Sequence, residues 1–307
     1  MRLASFDIAG RARFGCFAGP HLIDLAAAAR RCAAVLPYPL PAGADVWFGD
    51  IISFLRGGPL ARRLAETVVA ALPEPVPDGR CVFAADRAGL LAPVPRPGKI
   101  LCVGQNYRDH CREQGVDPPD RPVLFAKLDN TVLPHRGAIR IPPGSTRVDY
   151  EAELAFVIGR SACRVPRQAA LEHVAGYTIL NDVTEREMQR GDGQWVRGKS
   201  CDTFAPMGPA LVTADEVPDP HRLQIRLTLN GAVMQDSCTD QLVFDIPFLV
   251  EFITRSITLE PGDVVSTGTP PGVGMFRTPP VFLKSGDRLA VEIERLGTLE
   301  NHVVAAP

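Results

Sequence analysis

The stretch "VDYEAELAFVIG", residues 148–159, decides which fold this sequence predicts. Its second half is apolar and rich in aromatic and β-branched residues, which favours a strand buried in a core. Its first half carries Asp149, Glu151 and Glu153 at alternate positions. Because successive side chains of a strand point to opposite faces, these three acids are predicted to share one face, with the apolar residues on the other. A core strand that carries neighbouring carboxylates requires an explanation.

The composition argues against several classes of protein. Of the 307 residues, 46% are hydrophobic and 22% are charged, as in ordinary soluble globular proteins. The net charge of −2 and the absence of basic runs disfavour binding to nucleic acid. No apolar segment approaches the ~20 residues of a membrane span, and the beginning lacks the features of a secretory signal. Eight scattered cysteines without a C-x-x-C pair indicate reduced thiols. The expectation is a cytoplasmic protein that binds a small molecule and neither nucleic acid nor membrane.

The residue pattern changes at two proline-rich stretches, "ALPEPVPDGR" at 71–80 and "LAPVPRPGKI" at 91–100. Before the second stretch, short strand-like pieces are followed by apolar residues at helical spacing over 24–35 and 46–72. The sequence therefore predicts a small N-terminal α+β domain over residues 1–95.

Residues 96–307 contain many short strand-like runs separated by glycine and proline turns. Asn230-Gly231 predicts a hairpin turn. Few helices are expected, at 106–114, 166–173, 183–190 and 246–256. This pattern predicts an α+β, β-rich fold, a sandwich or roll.

The paired acids suggest a metal site. Two strand residues on one face have β-carbons about 7 Å apart, so Glu151 and Glu153 repel each other unless water or a cation separates them. Mg²⁺, Mn²⁺ and Ca²⁺ prefer such oxygen ligands, although a solvated strand face is the simpler alternative. Asp182 ends the run "GYTILND" and is a third candidate ligand. As an alternative, Asp182 or Thr184 is the N-cap of the helix that follows.

A candidate base lies in "GQNYRDHCREQG", residues 104–115. His110 and Glu113 are three positions apart, so they share a face of a helical turn, and a carboxylate beside an imidazole suits a general base. The alternative is an ordinary surface pair. Cys111 suggests a thiol nucleophile, but adjacent helix positions diverge by about 100°, so His110 would not face its thiol.

Two further segments have the composition of functional loops. Lys199 lies in "RGKSCDTFAPMGP" and can neutralise a carboxylate or an enolate, unless it is simply exposed. The segment 261–274, "PGDVVSTGTPPGVG", resembles an anion-binding turn with Thr267 and Thr269 as donors. It lacks the spacing of a P-loop.

Taken together, these segments resemble the fumarylacetoacetate hydrolase family over residues 97–304. The resemblance lies in the order of the blocks "KILCVGQNYRDHCREQG", "VDYEAELAFVIG", "GYTILNDVTEREMQ", "GKSCDTFAPMGP", "NGAVMQDSCT", "LEPGDVVSTGTPPGVG" and "LGTLENHV". It implies a mixed β-sandwich roll, a homodimer and a Mg²⁺ or Mn²⁺ cofactor, with Ca²⁺ as a further possibility.

The resemblance also implies a role for each matching residue. The metal ligands would be Glu151, Glu153 and Asp182, and the catalytic residues would be His110 and Glu113, on a mobile lid, with Lys199. Contacts to the substrate are assigned to Gln189, Arg186, Thr269 and Tyr107. Glu185 replaces a small residue that is frequent in the family and is expected to alter the pocket or to pair with its neighbour, and Asp149 has no assigned role.

The expected activity is hydrolysis of a C–C bond in a 2,4-dioxo acid such as an acylpyruvate. Decarboxylation of an oxaloacetate-type acid and isomerisation of 2-hydroxyhepta-2,4-diene-1,7-dioate are alternatives, because both use the same metal–enolate chemistry. A non-catalytic member that binds a metal is the remaining alternative. The side group of the substrate, the metal and the purpose of the N-terminal region are not readable from the sequence.

Overall fold

The computed structural model describes residues 1–36, 43–72 and 77–306. The proline-rich stretch at 71–80 therefore lies partly outside the described residues. Among the described helices, none is both long enough and apolar enough to cross a membrane.

Strands dominate the described residues, which confirms the prediction of a β-rich fold. They are β1 (Arg2–Ile8), β2 (Arg11–Ala18), β3 (His21–Asp24), β4 (Val82–Ala84), β5 (Gly89–Leu90), β6 (Ile100–Gly104), β7 (Val123–Lys127), β8 (Val132–Leu133), β9 (Ala138–Ile141), β10 (Val148–Asp149), β11 (Ala152–Ile158), β12 (Val174–Asn181), β13 (Thr184–Glu185), β14 (Ala205–Thr213), β15 (Gln224–Leu229), β16 (Ala232–Cys238), β17 (Val264–Ser266), β18 (Arg288–Ile293) and β19 (Gly297–Ala305).

The helices are fewer and mostly short. The α-helices are α1 (Leu25–Cys32), α2 (Ala44–Trp47), α3 (Ile51–Ala70), α4 (Arg108–Gln114), α5 (Arg186–Gly191), α6 (Val196–Lys199) and α7 (Ile246–Thr254). The 3₁₀ segments are Ala85–Arg87, Asp129–Thr131, Arg167–His173, Ala214–Glu216, Thr239–Gln241 and Gly274–Phe276.

Local sequence signals located most elements and missed some of their boundaries. The helix predicted at 166–173 is a 3₁₀ segment, and the one predicted at 183–190 begins only at Arg186 because the two residues before it form β13. The predicted hairpin turn is confirmed: Asn230 and Gly231 both have positive φ, 52° and 83°, as a type I′ turn requires.

One mixed sheet runs through the whole molecule, in the order β4-β3-β2-β1-β14-β12-β11-β17-β6-β7. The N-terminal strands are part of it, since β1 pairs antiparallel with β14 and Leu3 lies opposite Leu211. A second sheet has the order β16-β15-β18-β19-β9. Residues 1–95 thus extend the sheet of the larger region, and their independence as a domain stays a prediction.

The central strand β11 is buried on both faces. On one face, Leu154 and Phe156 pack in a core shared with the second sheet. On the other, Ala155 and Val157 pack in a core shared with α1 and α3. This burial explains the apolar half of the stretch at 148–159, because no side chain of β11 faces water.

Strand pairing positions the acidic half of the stretch at 148–159. β11 and β12 are antiparallel, with Ala152 opposite Asn181, which brings the start of β11 next to the end of β12. On its other side β11 pairs with β17, and β17 runs parallel to β6. The segments that follow β6, β12 and β17 therefore meet beside the first residues of β11.

Candidate metal centre and active-site cleft

Three carboxylates converge where β11 begins and β12 ends. One oxygen each of Glu151, Glu153 and Asp182 lies within 4.8 Å of the others. The three side chains are buried, so the alternative of a solvated strand face is wrong. A donor set made only of carboxylate oxygens suits hard divalent cations. The predicted acidic site is therefore present and can hold a divalent metal ion.

Two buried lysines contact this triad. The Nζ of Lys199 lies 2.7 Å from Glu151 Oε2 and 2.6 Å from Asp182 Oδ2, and the Nζ of Lys127 lies 2.5 Å from Asp182 Oδ1. Burial by itself lowers the pKa of Lys199, but Asp182 and Glu151 outweigh burial and raise it. The alternative of an exposed Lys199 is wrong, because its side chain is buried. The alternative of Asp182 or Thr184 as the helix cap is also wrong, because Glu185 caps α5 by accepting from Met188 N.

Glu153 differs from its neighbours because it has no cation partner among the described residues. Its Oε2 accepts hydrogen bonds from Ser266 Oγ at 2.5 Å and from Gly268 N at 3.0 Å. Burial, together with the charges of Asp182 and Glu151, raises the pKa of Glu153 well above its usual value. In Glu151, by contrast, burial is outweighed by nearby cations and the pKa falls to about 2. An added cation at the triad would compensate the one unpaired carboxylate.

Asp149 anchors an arginine and a loop. The predicted strand at 148–159 is in fact two strands, and Asp149 belongs to β10, which pairs with β13. Its carboxylate is 2.8 Å from the Nε and Nη2 atoms of Arg186, and it accepts from the amides of Gly274 and Met275 at 2.7 and 3.0 Å. The Nη2 of Arg186 also lies 2.7 Å from Glu151 Oε1. Asp149 therefore orients a metal-ligand candidate through Arg186.

We expect Asp149→Asn to weaken Mn²⁺ binding by about 10- to 100-fold, the usual cost of losing a group that orients a ligand. The asparagine retains an acceptor for the loop amides but removes the charge that draws Arg186 away from Glu151. Titration calorimetry of the metal-free protein measures the affinity. The control is Asp215→Asn, which breaks an exposed pair with Arg62, and equal affinities in the two variants would contradict the orienting role.

The structure contains the predicted pair of a candidate general base, His110, and its carboxylate partner, Glu113. His110 Nδ1 lies 2.8 Å from Glu113 Oε2, and Glu113 Oε1 accepts from Gly272 N at 2.8 Å. A carboxylate at Nδ1 favours the tautomer with the proton there, which leaves Nε2 available as a base. The Cys111 thiol donates to Gln105 O at 3.4 Å, and burial and Asp109 raise its pKa. Neither property suits a thiol nucleophile.

The segment after β17 is an amide-rich turn, but its anions belong to the protein. Backbone N–H groups between residues 268 and 275 donate to Glu153, Glu113 and Asp149. One loop thus holds a metal-ligand candidate, the partner of the base and the anchor of Arg186. A free anion-binding turn was the wrong prediction, because these amides are already engaged.

The threonines of this segment are also engaged with protein groups. Thr267 donates to Leu154 O at 2.9 Å, and Thr269 donates to Ala152 O at 3.0 Å while accepting from Gln235 at 2.8 Å. Thr267 is therefore not a free donor. Only Thr269 of the two lines the cleft.

A cleft of about 360 Å³ opens over the triad. Seven of the predicted site residues line it, namely His110, Glu151, Glu153, Arg186, Gln189, Lys199 and Thr269. Glu113 and Asp182 are not part of this lining, but they contact the lining residues His110 and Lys199. The structure does not bring Tyr107 to the lining: it is fully buried and its hydroxyl has no hydrogen-bond partner among the described residues.

Several cleft residues carry no signal in the sequence that sets them apart. Phe125 and Trp195 form one wall with their rings 5.3 Å apart, and Phe276 packs 5.9 Å from the ring of His110. Lys127 ends the apolar run "PVLFAK", and a cation at the end of an apolar strand was the one available hint of its role.

Comparisons with known proteins agree with this geometry. The family model described as fumarylacetoacetate (FAA) hydrolase C-terminal matches residues 99–304. The oxaloacetate tautomerase Fahd2a, mitochondrial, of Rattus norvegicus is 44% identical over 255 residues, 83% of this chain and 79% of the rat protein. The oxaloacetate tautomerase YisK of Bacillus subtilis (strain 168) is 42% identical over 229 residues, 73% and 76% of the two chains. The solved structure of fumarylacetoacetate hydrolase from Exiguobacterium antarcticum superposes with a TM-score of 0.79, at 33% identity over all of both chains.

Proposed function

We propose that this chain, which belongs to the fumarylacetoacetate hydrolase family, interconverts the keto and enol forms of oxaloacetate or a closely similar 2-oxo dicarboxylate. The observation that carries the proposal is the buried triad of Glu151, Glu153 and Asp182 beneath a cleft that also holds one imidazole. The relatives named oxaloacetate tautomerases, 44% and 42% identical, support the choice of reaction.

Tautomerisation requires one proton to move between C3 and the 2-oxo oxygen. His110 is the candidate to take the C3 proton at Nε2, because Glu113 occupies Nδ1. The electron pair of the C3–H bond then forms the C2–C3 double bond, and the oxygen gains a proton. A divalent cation held by the triad supplies positive charge that stabilises negative charge on the 2-oxo group.

The other lining residues orient the substrate and limit water. Lys199 adds positive charge beside the triad, and Gln189 is held by Arg186 Nη1 at 3.0 Å. The rings of Phe125, Trp195 and Phe276 border the same space. Aromatic walls keep water away from the reacting carbon, which favours proton transfer over addition of water.

Hydrolysis of an acylpyruvate is the second candidate. The pair His110–Glu113 can equally activate a water that attacks a C4 carbonyl, after which the C3–C4 bond breaks to give pyruvate and a carboxylic acid. The solved relative named fumarylacetoacetate hydrolase supports this reading. We rank it second because the two relatives of higher identity are named tautomerases.

The test follows the ultraviolet absorbance of enol oxaloacetate at neutral pH, with purified protein, with added Mg²⁺ or with excess EDTA. We expect accelerated ketonisation with Mg²⁺ and loss of the acceleration with EDTA. Mn²⁺ and Ca²⁺, added to the metal-free protein, rank the metals. Acetylpyruvate under the same conditions should give little pyruvate, and rapid formation of pyruvate and acetate would favour the hydrolase instead. Acceleration that survives EDTA would contradict the role of the triad.

A further inference from the structure

We propose that Arg190 selects a substrate with a second carboxylate, so that the cleft prefers a dicarboxylic 2-oxo acid over a monocarboxylic one. This inference rests on the proposed function and deepens it by assigning the distal end of the substrate. Arg190 occupies the last turn of α5, directly after Gln189, and lines the cleft.

The buried charges around the triad balance one another almost completely. One continuous chain of ion pairs links six buried residues, in the order Asp149, Arg186, Glu151, Lys199, Asp182 and Lys127. Its three acids balance its three cations, and Glu153 adds one unpaired negative charge. Once a divalent cation is bound, the centre carries one net positive charge, which the first carboxylate of a 2-oxo acid neutralises. A second carboxylate then needs a separate cation, because an uncompensated charge in a partly dry cleft is costly.

The buried cations that line the cleft already have carboxylate partners. Lys199 is in contact with Glu151 and Asp182, and Arg186 is in contact with Asp149 and Glu151, each at 2.6 to 2.8 Å. The side chain of Arg190, by contrast, makes no ion pair or hydrogen bond within residues 1–36, 43–72 and 77–306. Among the described cations of the lining, it alone can receive a new carboxylate without breaking an existing pair.

Arg190 lies on the solvent side of the cleft. Arg190 is exposed, whereas Arg186 and Lys199 are buried, so it stands at the solvent side of the same cleft that has the triad at its floor. Gly193, with φ of 72°, and Trp195 continue the lining beyond it. A ligand that binds its 2-oxo acid end at the triad can extend toward solvent along this lining, and the guanidinium of Arg190 is suited to bidentate contact with a carboxylate there.

The experiment uses two compounds that differ in this end alone. Oxaloacetate and acetylpyruvate share a 2-oxo acid with an acidic C3 and a C4 carbonyl, but acetylpyruvate has a methyl group in place of the charged C4 oxygen. The enol absorbance of each is followed with the Mg²⁺-loaded protein. We expect Arg190→Gln to lower the ratio of kcat/KM for oxaloacetate to that for acetylpyruvate by roughly 10- to 100-fold, the usual range for a charged hydrogen bond, mainly through KM.

Two further variants separate selectivity from a structural effect. Arg190→Lys retains a charge and should restore part of the ratio. Arg147→Gln removes a nearby exposed arginine that pairs with Glu187 and does not line the cleft, and it should leave the ratio unchanged. An equal loss with both compounds, or a ratio in Arg190→Gln within twofold of the parent chain, would overturn the inference.

Failure of the proposed function is recognised separately. If the parent chain accelerates neither compound, titration calorimetry with Mg²⁺ present measures the affinity for oxaloacetate and for acetylpyruvate instead. The same loss of preference in Arg190→Gln then supports the inference without any turnover. A preference that is missing in the parent chain, or unchanged in the variant, overturns it.

Discussion

Glu153→Gln is expected to lower metal-dependent turnover by about 10³-fold or more, because the several kcal/mol that a metal ion contributes to such reactions are lost with the site. The glutamine retains an acceptor for Ser266 and Gly268, which donate to Glu153 in the parent chain. It removes a single negative charge from the triad and little else. Turnover of enol oxaloacetate and Mn²⁺ affinity by titration calorimetry are the two measurements.

We also expect Glu153→Gln to leave the stability of the metal-free protein undiminished. Glu153 is a buried carboxylate without a cation partner among the described residues, so replacing it with a neutral isostere should not destabilise the metal-free protein. Urea unfolding in EDTA tests this. The control Glu292→Gln alters an exposed strand residue on β18 and should preserve both turnover and metal affinity. Retained Mn²⁺ affinity in Glu153→Gln would remove this residue from the ligand set.

His110→Asn is expected to lower turnover by roughly 10²- to 10⁴-fold, the usual contribution of a general base. Its amide can still reach toward Glu113, but it cannot accept a proton from carbon. Exchange of the C3 protons of oxaloacetate in deuterated water, followed by NMR, measures the step directly. Mn²⁺ affinity should change little, because His110 is not part of the triad.

Two further variants test the role of His110. Glu113→Gln retains the imidazole but removes the charge at 2.8 Å that orients it, so a smaller loss than in His110→Asn is expected. His173→Asn changes a histidine that is bonded to backbone carbonyls outside the cleft lining and should not affect exchange. If His110→Asn exchanges C3 protons as fast as the parent chain, another group is the base.

Short-range spacing explains why much of the site was predictable. Glu151 directly precedes β11 and Glu153 is the second residue of that strand, and His110 and Glu113 are three apart on one helical turn. In both pairs the local backbone determines the relative position of the side chains. The resemblance of the ordered blocks then placed Asp182 and Lys199 with them, and the structure brings all of these residues together.

Contacts between distant segments were not predictable in this way. Lys127 and Asp182 are 55 residues apart in the chain, and Asp149 and Gly274 are 125 apart. Nothing in the local sequence indicates that the glycine-rich segment after β17 would donate its amides to the protein's own carboxylates. The cap of α5 was also missed, because the pairing of β13 with β10 delays the start of the helix to Arg186 and so places Glu185 at the N-cap.

The sequence by itself determined the β-rich class, the family and the identity of the acids, because these follow from alternation along strands and from the order of short blocks. The tertiary structure alone decided which charges compensate one another: Asp149 with Arg186, Lys199 and Lys127 with Asp182, and Glu153 and Arg190 with no oppositely charged partner among the described residues. The physical reason is that a buried charge is stabilised by whatever lies within a few ångströms in space, and such neighbours come from strands that only the folded sheet brings side by side.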